Sequence, residues 1–144
     1  MILVNFKAYE ETWGDKAVSL AKVCKKVADK TGVKIIPVVS ALDAVRIMEM
    51  VKTEVWLQDV DEVFEGAATG AISPIGAKNL GIGGTLLNHS ERRKKPGTIK
   101  KMLKMWPKKF GVAVCLNSLG QAEGWAKNIK ADYIAYHFRF FCCH

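Results

Sequence analysis

The sequence predicts an α/β fold with parallel strands, on three observations. Short apolar runs of strand length alternate with longer stretches whose apolar residues recur at helical spacing. The short runs are apolar almost throughout, as strands covered on both faces of a parallel sheet are. Glycine or proline marks several of the joints. No low-complexity linker interrupts the series, and 144 residues suit one domain.

Residues 2–6 (ILVNF) form the first strand. Residues 15–30 follow as a helix with Ala17, Leu20, Ala21, Cys24, Val27 and Ala28 on its inner face, and Gly32 ends it. Residues 33–39 make the second strand. Ser40 to Asp43 resemble a capping box, with Asp43 in place of the usual Glu or Gln. Leu42, Val45, Met48 and Val51 then give the next helix its apolar stripe. Residues 55–58 are the third strand, and 59–73 a loop broken by Gly66 and Gly70. A short helix over 74–80 opens on Pro74 and stops at Gly81.

Residues 82–87 are the fourth strand, 97–106 a basic helix and 110–115 the fifth strand. A second capping box, Ser118 to Gln121, opens a helix with Leu119, Ala122, Ala126 and Ile129 inward. Residues 132–136 begin the sixth strand. Six strands and five helices suit either a doubly wound sheet or part of a (β/α) barrel, and the pattern leaves both open. The first strand-to-helix turn, NFKAYEETWG, carries no glycine-rich fingerprint, which speaks against a dinucleotide site there.

Hydrophobic residues make up 49% of the chain and charged residues 25%, enough to bury a core and stay soluble. No apolar run approaches the length of a membrane span, and the N-terminus lacks the basic region of a secretory signal. Cys24, Cys115, Cys142 and Cys143 show neither zinc spacing nor a paired framework. Reduced thiols in a cytoplasm are expected, with no metal.

Net charge is +8, and it is concentrated. Residues 91–109 hold nine Lys or Arg and one Glu, while the remainder of the chain sums to zero. Such a cluster can attract nucleic acid or an acidic partner. The plainer reading is a solvated helix face, because Ile99, Met102, Leu103 and Trp106 fall at helical spacing with Lys100, Lys101 and Lys104 off that stripe.

In parallel α/β folds, ligands meet the C-terminal ends of the strands. Those ends offer Asn5 and Lys7 after the first strand, Gln58 after the third, Asn88, His89 and Glu91 after the fourth, and Cys115 and Asn117 after the fifth. A lysine and a histidine converging on one rim can polarise a carbonyl and hold an anionic oxygen. Singly, each reads as plainly as a snorkelling surface lysine or a hydrogen-bonded loop histidine.

Together with their neighbours, they resemble the triosephosphate isomerase family in its shorter archaeal branch. The residues that carry the resemblance are VNFK at 4–7 and GTLLNHSERR at 84–93. Supporting matches are QDVD at 58–61, GAATG at 66–70, VCLN at 114–117 and ADYIAY at 131–136. The NHSERR run also argues against a phosphate-sugar barrel of another family. The resemblance implies an incomplete TIM (β/α)8 barrel of about five and a half βα units with parallel strands. It implies interconversion of dihydroxyacetone phosphate and glyceraldehyde 3-phosphate without a cofactor, in a homo-oligomer, dimer or tetramer. Asn5 would contact substrate, Lys7 would hold negative charge on the substrate oxygen, and His89 would shuttle a proton between the two oxygens. Asn88, Ser90 and Glu91 would support them, Glu91 by pairing with Lys7 or another basic neighbour. A helical turn starting near Ser90 would keep the His89 ring neutral; triosephosphate isomerase is itself the worked example of this tuning.

The sequence departs from the family after Tyr136. The family's catalytic base is a glutamate directly after the sixth strand, and here that position holds His137. The tail YHFRFFCCH keeps none of the hinge, and the seventh and eighth strands with their phosphate loops are missing. A whole barrel takes at least about 200 residues. We therefore expect 1–136 as a partial barrel and 137–144 as a non-family tail, the product of a frameshift or premature end, with very weak activity or none. His137 as a substitute base has lost its hinge. A zinc site from His137, Cys142, Cys143 and His144 would need adjacent cysteines on one tetrahedron. Asp59 and Ala71 replace histidines of the archaeal patterns QHVD and TGHV, which bears on subunit contacts near the third loop.

Overall fold

The computed structural model describes residues 1–118, 120, 124–125 and 129–136. Six parallel strands form one sheet in the order β1-β2-β3-β4-β5-β6. They are β1 (Ile2–Asn5), β2 (Ile35–Val39), β3 (Trp56–Leu57), β4 (Gly84–Leu87), β5 (Gly111–Leu116) and β6 (Tyr133–Tyr136). The helices are α1 (Gly14–Thr31), α2 (Ala41–Val51), α3 (Pro74–Asn79) and α4 (Pro96–Lys104). Strand order that never reverses is that of a barrel wall, whereas a doubly wound sheet turns back at a switch point. The sheet is an incomplete (β/α)8 barrel, and it settles the choice the sequence pattern left open.

The two faces of the sheet explain why its strands are apolar at successive positions. Val39, Leu57, Leu87, Val112, Val114 and Leu116 point outward into the helix layer, where Ala17, Ala21, Ile47, Ile99 and Met102 meet them. Ile36, Val38, Trp56, Leu86, Ala113 and Cys115 form a second cluster on the inner face. Strand period two sends alternate residues to each cluster, so both halves of the alternation must be apolar.

Trp56 fills the inner face at a width that two glycines permit. A Cβ on Gly84 would lie 2.6 Å from its ring, and one on Gly111 would lie 2.5 Å from it. The indole N–H donates to Glu54 Oε1 at 2.8 Å. Burial alone would raise the Glu54 carboxyl, but Lys34 and the indole outweigh it and hold the group below its ordinary value.

The helix faces follow the sequence reading in α1 and α4 more closely than in α2. In α1, Ala17, Val18, Ala21 and Cys24 are buried and Gly32 caps the end in the left-handed region, but Val27 is 42% exposed. In α4, Ile99 and Met102 are buried while Lys100, Lys101 and Lys104 face solvent. In α2 the expected stripe is displaced. Ala44, Ile47 and Val51 turn inward and Leu42 is 86% exposed, because the helix packs one position round from the pattern the sequence suggests. The capping box at Ser40 is half formed. Ser40 Oγ accepts from Leu42 N, but Asp43 turns away, and its Oδ2 accepts from Gly14 N at 3.1 Å. The buried Asp43 carboxylate thereby caps α1 rather than its own helix.

Of the helix expected after Ser118, Gly124 and Trp125 are helical, Ile129 N donates to Trp125 O at 2.9 Å, and Trp125 and Ile129 pack on the core. Leu119, Gln121, Ala122 and Ala126 lie outside the described residues, as does the whole of 137–144, including His137 and the residues weighed for zinc. Among the described residues no helix is long and apolar enough to cross a membrane, and no group of His, Cys, Asp or Glu could hold a metal ion.

Candidate active site

The C-terminal ends of β1, β3 and β4 open into one cleft of about 450 Å³. Asn5, Lys7, Gln58, Asp59, His89 and Glu91 all line it. Lysine and histidine, 82 residues apart in sequence, thus face the same space.

Lys7 is held in an uncommon conformation. Its φ is 55°, in the left-handed region that residues with a Cβ seldom adopt. Two contacts maintain it: Lys7 N donates to Asn5 Oδ1 at 3.0 Å, and Gln58 Nε2 donates to Lys7 O at 2.7 Å. Asn5 therefore orders the turn, whatever else it touches. The Lys7 ammonium is 3.0 Å from Glu91 Oε1 and lies over the Tyr9 ring, 5.9 Å from its centroid. The hydrogen bond to Glu91 raises the lysine above its ordinary value, so it is charged throughout the neutral range.

His89 follows a second left-handed residue. Asn88 has φ 63° and is 3% exposed. Its Nδ2 donates to Cys115 O at 2.8 Å, and its Oδ1 accepts from Lys94 N at 3.0 Å. Asparagine suits both demands, since it tolerates this conformation and its amide both gives and takes. Asn88 thus sets the direction in which the chain presents His89.

The turn expected near Ser90 does not open a helix. A single turn stands there instead, closed by Arg92 N to His89 O at 2.9 Å, and α4 begins at Pro96. The turn still places a backbone donor on the ring: Glu91 N donates to His89 Nδ1 at 3.3 Å. Glu91 Oε2 is also 3.5 Å from Nδ1, a contact that would need a proton on that nitrogen. The amide can only donate and is closer, a contact that suits a ring accepting at Nδ1 with its proton on Nε2. Glu91 Oε1 already serves Lys7.

Two arginines and a lysine after Glu91 tie the loop down. Arg93 Nη1 donates to Asn88 O at 3.0 Å. Arg92 pairs with Asp59 at 2.8 Å and Asp61 at 2.9 Å, and Lys94 pairs with Asp59 at 2.7 Å. Burial pushes the Asp59 carboxyl up, by more than Lys94 and Arg92 pull it back. Sequence reading placed Gln58 at the rim without giving it a role and weighed Asp59 only for subunit contacts. The available signal was their place at the end of a strand, beside Asn5 and Asn88 on the rim.

The basic cluster divides accordingly. Arg92, Lys94 and Lys101 spend their charge on Asp59, Asp61 and Glu62, and α4 packs its apolar stripe into the core. Lys100, Lys101 and Lys104 form the solvated helix face of the plainer reading.

The family model for triosephosphate isomerase matches residues 1–133. The chain belongs to the triosephosphate isomerase family. Triosephosphate isomerase from Metallosphaera sedula is 43% identical over 119 residues, 81% of this chain and 52% of the relative. That from Methanothermus fervidus is 35% identical over 136 residues, 94% of this chain and 61% of the relative. The chain spans between half and two thirds of these relatives. The crystal structure of triosephosphate isomerase from Bartonella henselae superposes with a TM-score of 0.68 at 16% identity, over 89% of this chain and 55% of that one, which bears on the fold alone. An ammonium and an imidazole facing one cleft can hold a developing oxyanion and relay a proton.

Proposed function

We propose that this chain carries the Lys7–His89 part of a triosephosphate isomerase site, and that its reaction is the interconversion of dihydroxyacetone phosphate and glyceraldehyde 3-phosphate. The observation that carries the reading is the Glu91 bridge. One carboxylate holds the Lys7 ammonium at 3.0 Å, while the amide of the same residue donates to His89 Nδ1 at 3.3 Å. In this reading the Lys7 ammonium stabilises charge on the substrate oxygen, and His89 passes the Nε2 proton between the two oxygens of an enediolate. Asn5 and Lys7 contact substrate; Asn88, Ser90 and Glu91 support. No cofactor enters the chemistry. Residues 1–136 act as the partial barrel, and 137–144 depart from the family's sequence. The cytoplasm and a homo-oligomer are the expected setting.

The position of the family's catalytic glutamate holds His137. Absence of a placed general base lowers turnover by about a hundred- to ten-thousandfold. Purified 144-residue chain in a coupled assay should therefore turn over triose phosphate weakly, above a His89→Gln control. Turnover equal to that of an ordinary isomerase would refute the impairment. Activity indistinguishable from His89→Gln, with no triose phosphate binding by calorimetry, would refute the isomerase reading itself.

A further inference from the structure

We infer that Asp59 is a positioning residue that fixes the orientation of His89 by holding the loop on which the histidine is carried. The inference rests on the proposed reading only in taking His89 as a working group of the cleft; the geometry stands independently.

Asp59 is buried, with 8% of its surface exposed, at the end of β3. Its Oδ2 receives both Lys94 Nζ at 2.7 Å and Arg92 Nε at 2.8 Å, while Oδ1 is buried without a hydrogen-bond partner among the described residues. A carboxylate so poorly solvated is costly unless paired.

Lys94 makes the link to the site. Its side chain is only 12% exposed, so its ammonium stays in place only while Asp59 neutralises it. The same residue's backbone N–H donates to Asn88 Oδ1 at 3.0 Å, and Asn88 is the left-handed residue directly before His89. Asp59, Lys94 and Asn88 thus form a continuous line of contacts, and the Lys94–Asn88 bond spans residues 89–93, the segment that starts with His89. Without Asp59, Lys94 would turn out to water and carry its backbone with it. Asn88 would lose a partner, and the turn that aims Glu91 N at His89 Nδ1 would loosen. The preceding residue, Gln58, holds the carbonyl of Lys7 at 2.7 Å. Two adjacent residues directly after β3 therefore set the two halves of the cleft.

Nitrogen-15 spectra of the histidine rings test this, with His89 assigned by loss of its signals in His89→Gln. Parent protein should show Nδ1 at the position of an unprotonated nitrogen. In Asp59→Asn and Lys94→Met, that signal should move toward the average of the two tautomers. In Lys94→Arg, which restores the pairing, it should return. Folded Asp59→Asn and Lys94→Met that lose stability in urea but keep the parent His89 signals would overturn the inference, leaving Asp59 a buried ion pair and nothing more. If Asp59→Asn does not fold, Lys94→Met decides, because Asp59 there keeps Arg92. Collapse of both would make Asp59 a requirement of folding rather than of His89 orientation, and overturns the inference equally. Turnover judges the isomerase reading and the ring signals judge the positioning, so either can fail while the other stands.

Discussion

Gln58 donates its side-chain amide to the backbone carbonyl of Lys7 at 2.7 Å, across 51 residues of sequence. The bond fastens the end of β1 to the end of β3 at the point where Lys7 leaves the ordinary regions of backbone conformation. Strain at Lys7 is thus maintained by tertiary structure rather than by the lysine's own preference.

Two substitutions separate that strain from the charge. Lys7→Ala and Lys7→Gly both remove the ammonium, but only glycine adopts φ 55° without a Cβ penalty. Urea unfolding should find Lys7→Gly more stable than Lys7→Ala by about 1 kcal/mol. Gln58→Leu should lower stability by about 1–3 kcal/mol, the cost of leaving a partly buried carbonyl without its donor. Equal stability of the two Lys7 variants would mean that the loop relaxes and stores nothing.

Trp56 and its two glycines should behave as one unit. Gly111→Ala places a methyl 2.5 Å from the Trp56 ring, and overpacking of this kind costs about 1–3 kcal/mol. Trp56→Leu leaves a cavity and is destabilising by itself. The double variant should be more stable than the sum of the singles predicts, since each relieves the other. Strict additivity in a denaturant cycle would show that the ring does not set the width of the sheet.

Cys115 should make the protein sensitive to alkali. Burial pushes its thiol up to about 11, against an ordinary value of 9.0; Arg93 pulls it down and Asp59 raises it further. A thiol raised in the folded state favours folding fully below pH 9, and that contribution is lost as pH rises to about 11. The loss approaches about 3 kcal/mol. The difference in stability between parent and Cys115→Ala should therefore shrink or reverse across that window. Iodoacetamide at pH 8 should leave Cys115 unlabelled until the protein is unfolded.

Much of the fold can be read from the letters. Apolar runs such as IIPVV and GVAVCL announce strands covered on both faces, and Gly32 and Pro74 mark helix ends where the structure has them. These are local signals, set by neighbours a few residues away. The Leu42 stripe failed for the same reason. Spacing shows that α2 has an apolar face, but Leu42 and Ile47 compete for it, and only packing against β2 and α1 settles that Ile47 wins.

The site divides along similar lines. Asn5, Lys7, Asn88, His89 and Glu91 are legible because strand ends in such a fold point to a common rim. The Asp59–Lys94–Asn88 line is not legible, since its members come from different loops and nothing in the run QDVD says that an aspartate will be buried under Lys94 and Arg92. The turn expected near Ser90 is a single turn, with Arg92 and Lys94 drawn to the β3 loop before Pro96 starts α4.

By itself, the sequence determined the βα alternation, the parallel sheet, the family and the residues at the rim, all carried by periodicity or short motifs. Tertiary structure alone decided the unbroken strand order, the outward turn of Leu42, the backbone contact to His89 Nδ1 and the burial of Asp59. Those depend on distances between residues far apart in the chain, and such distances exist only once the sheet has brought the strand ends together.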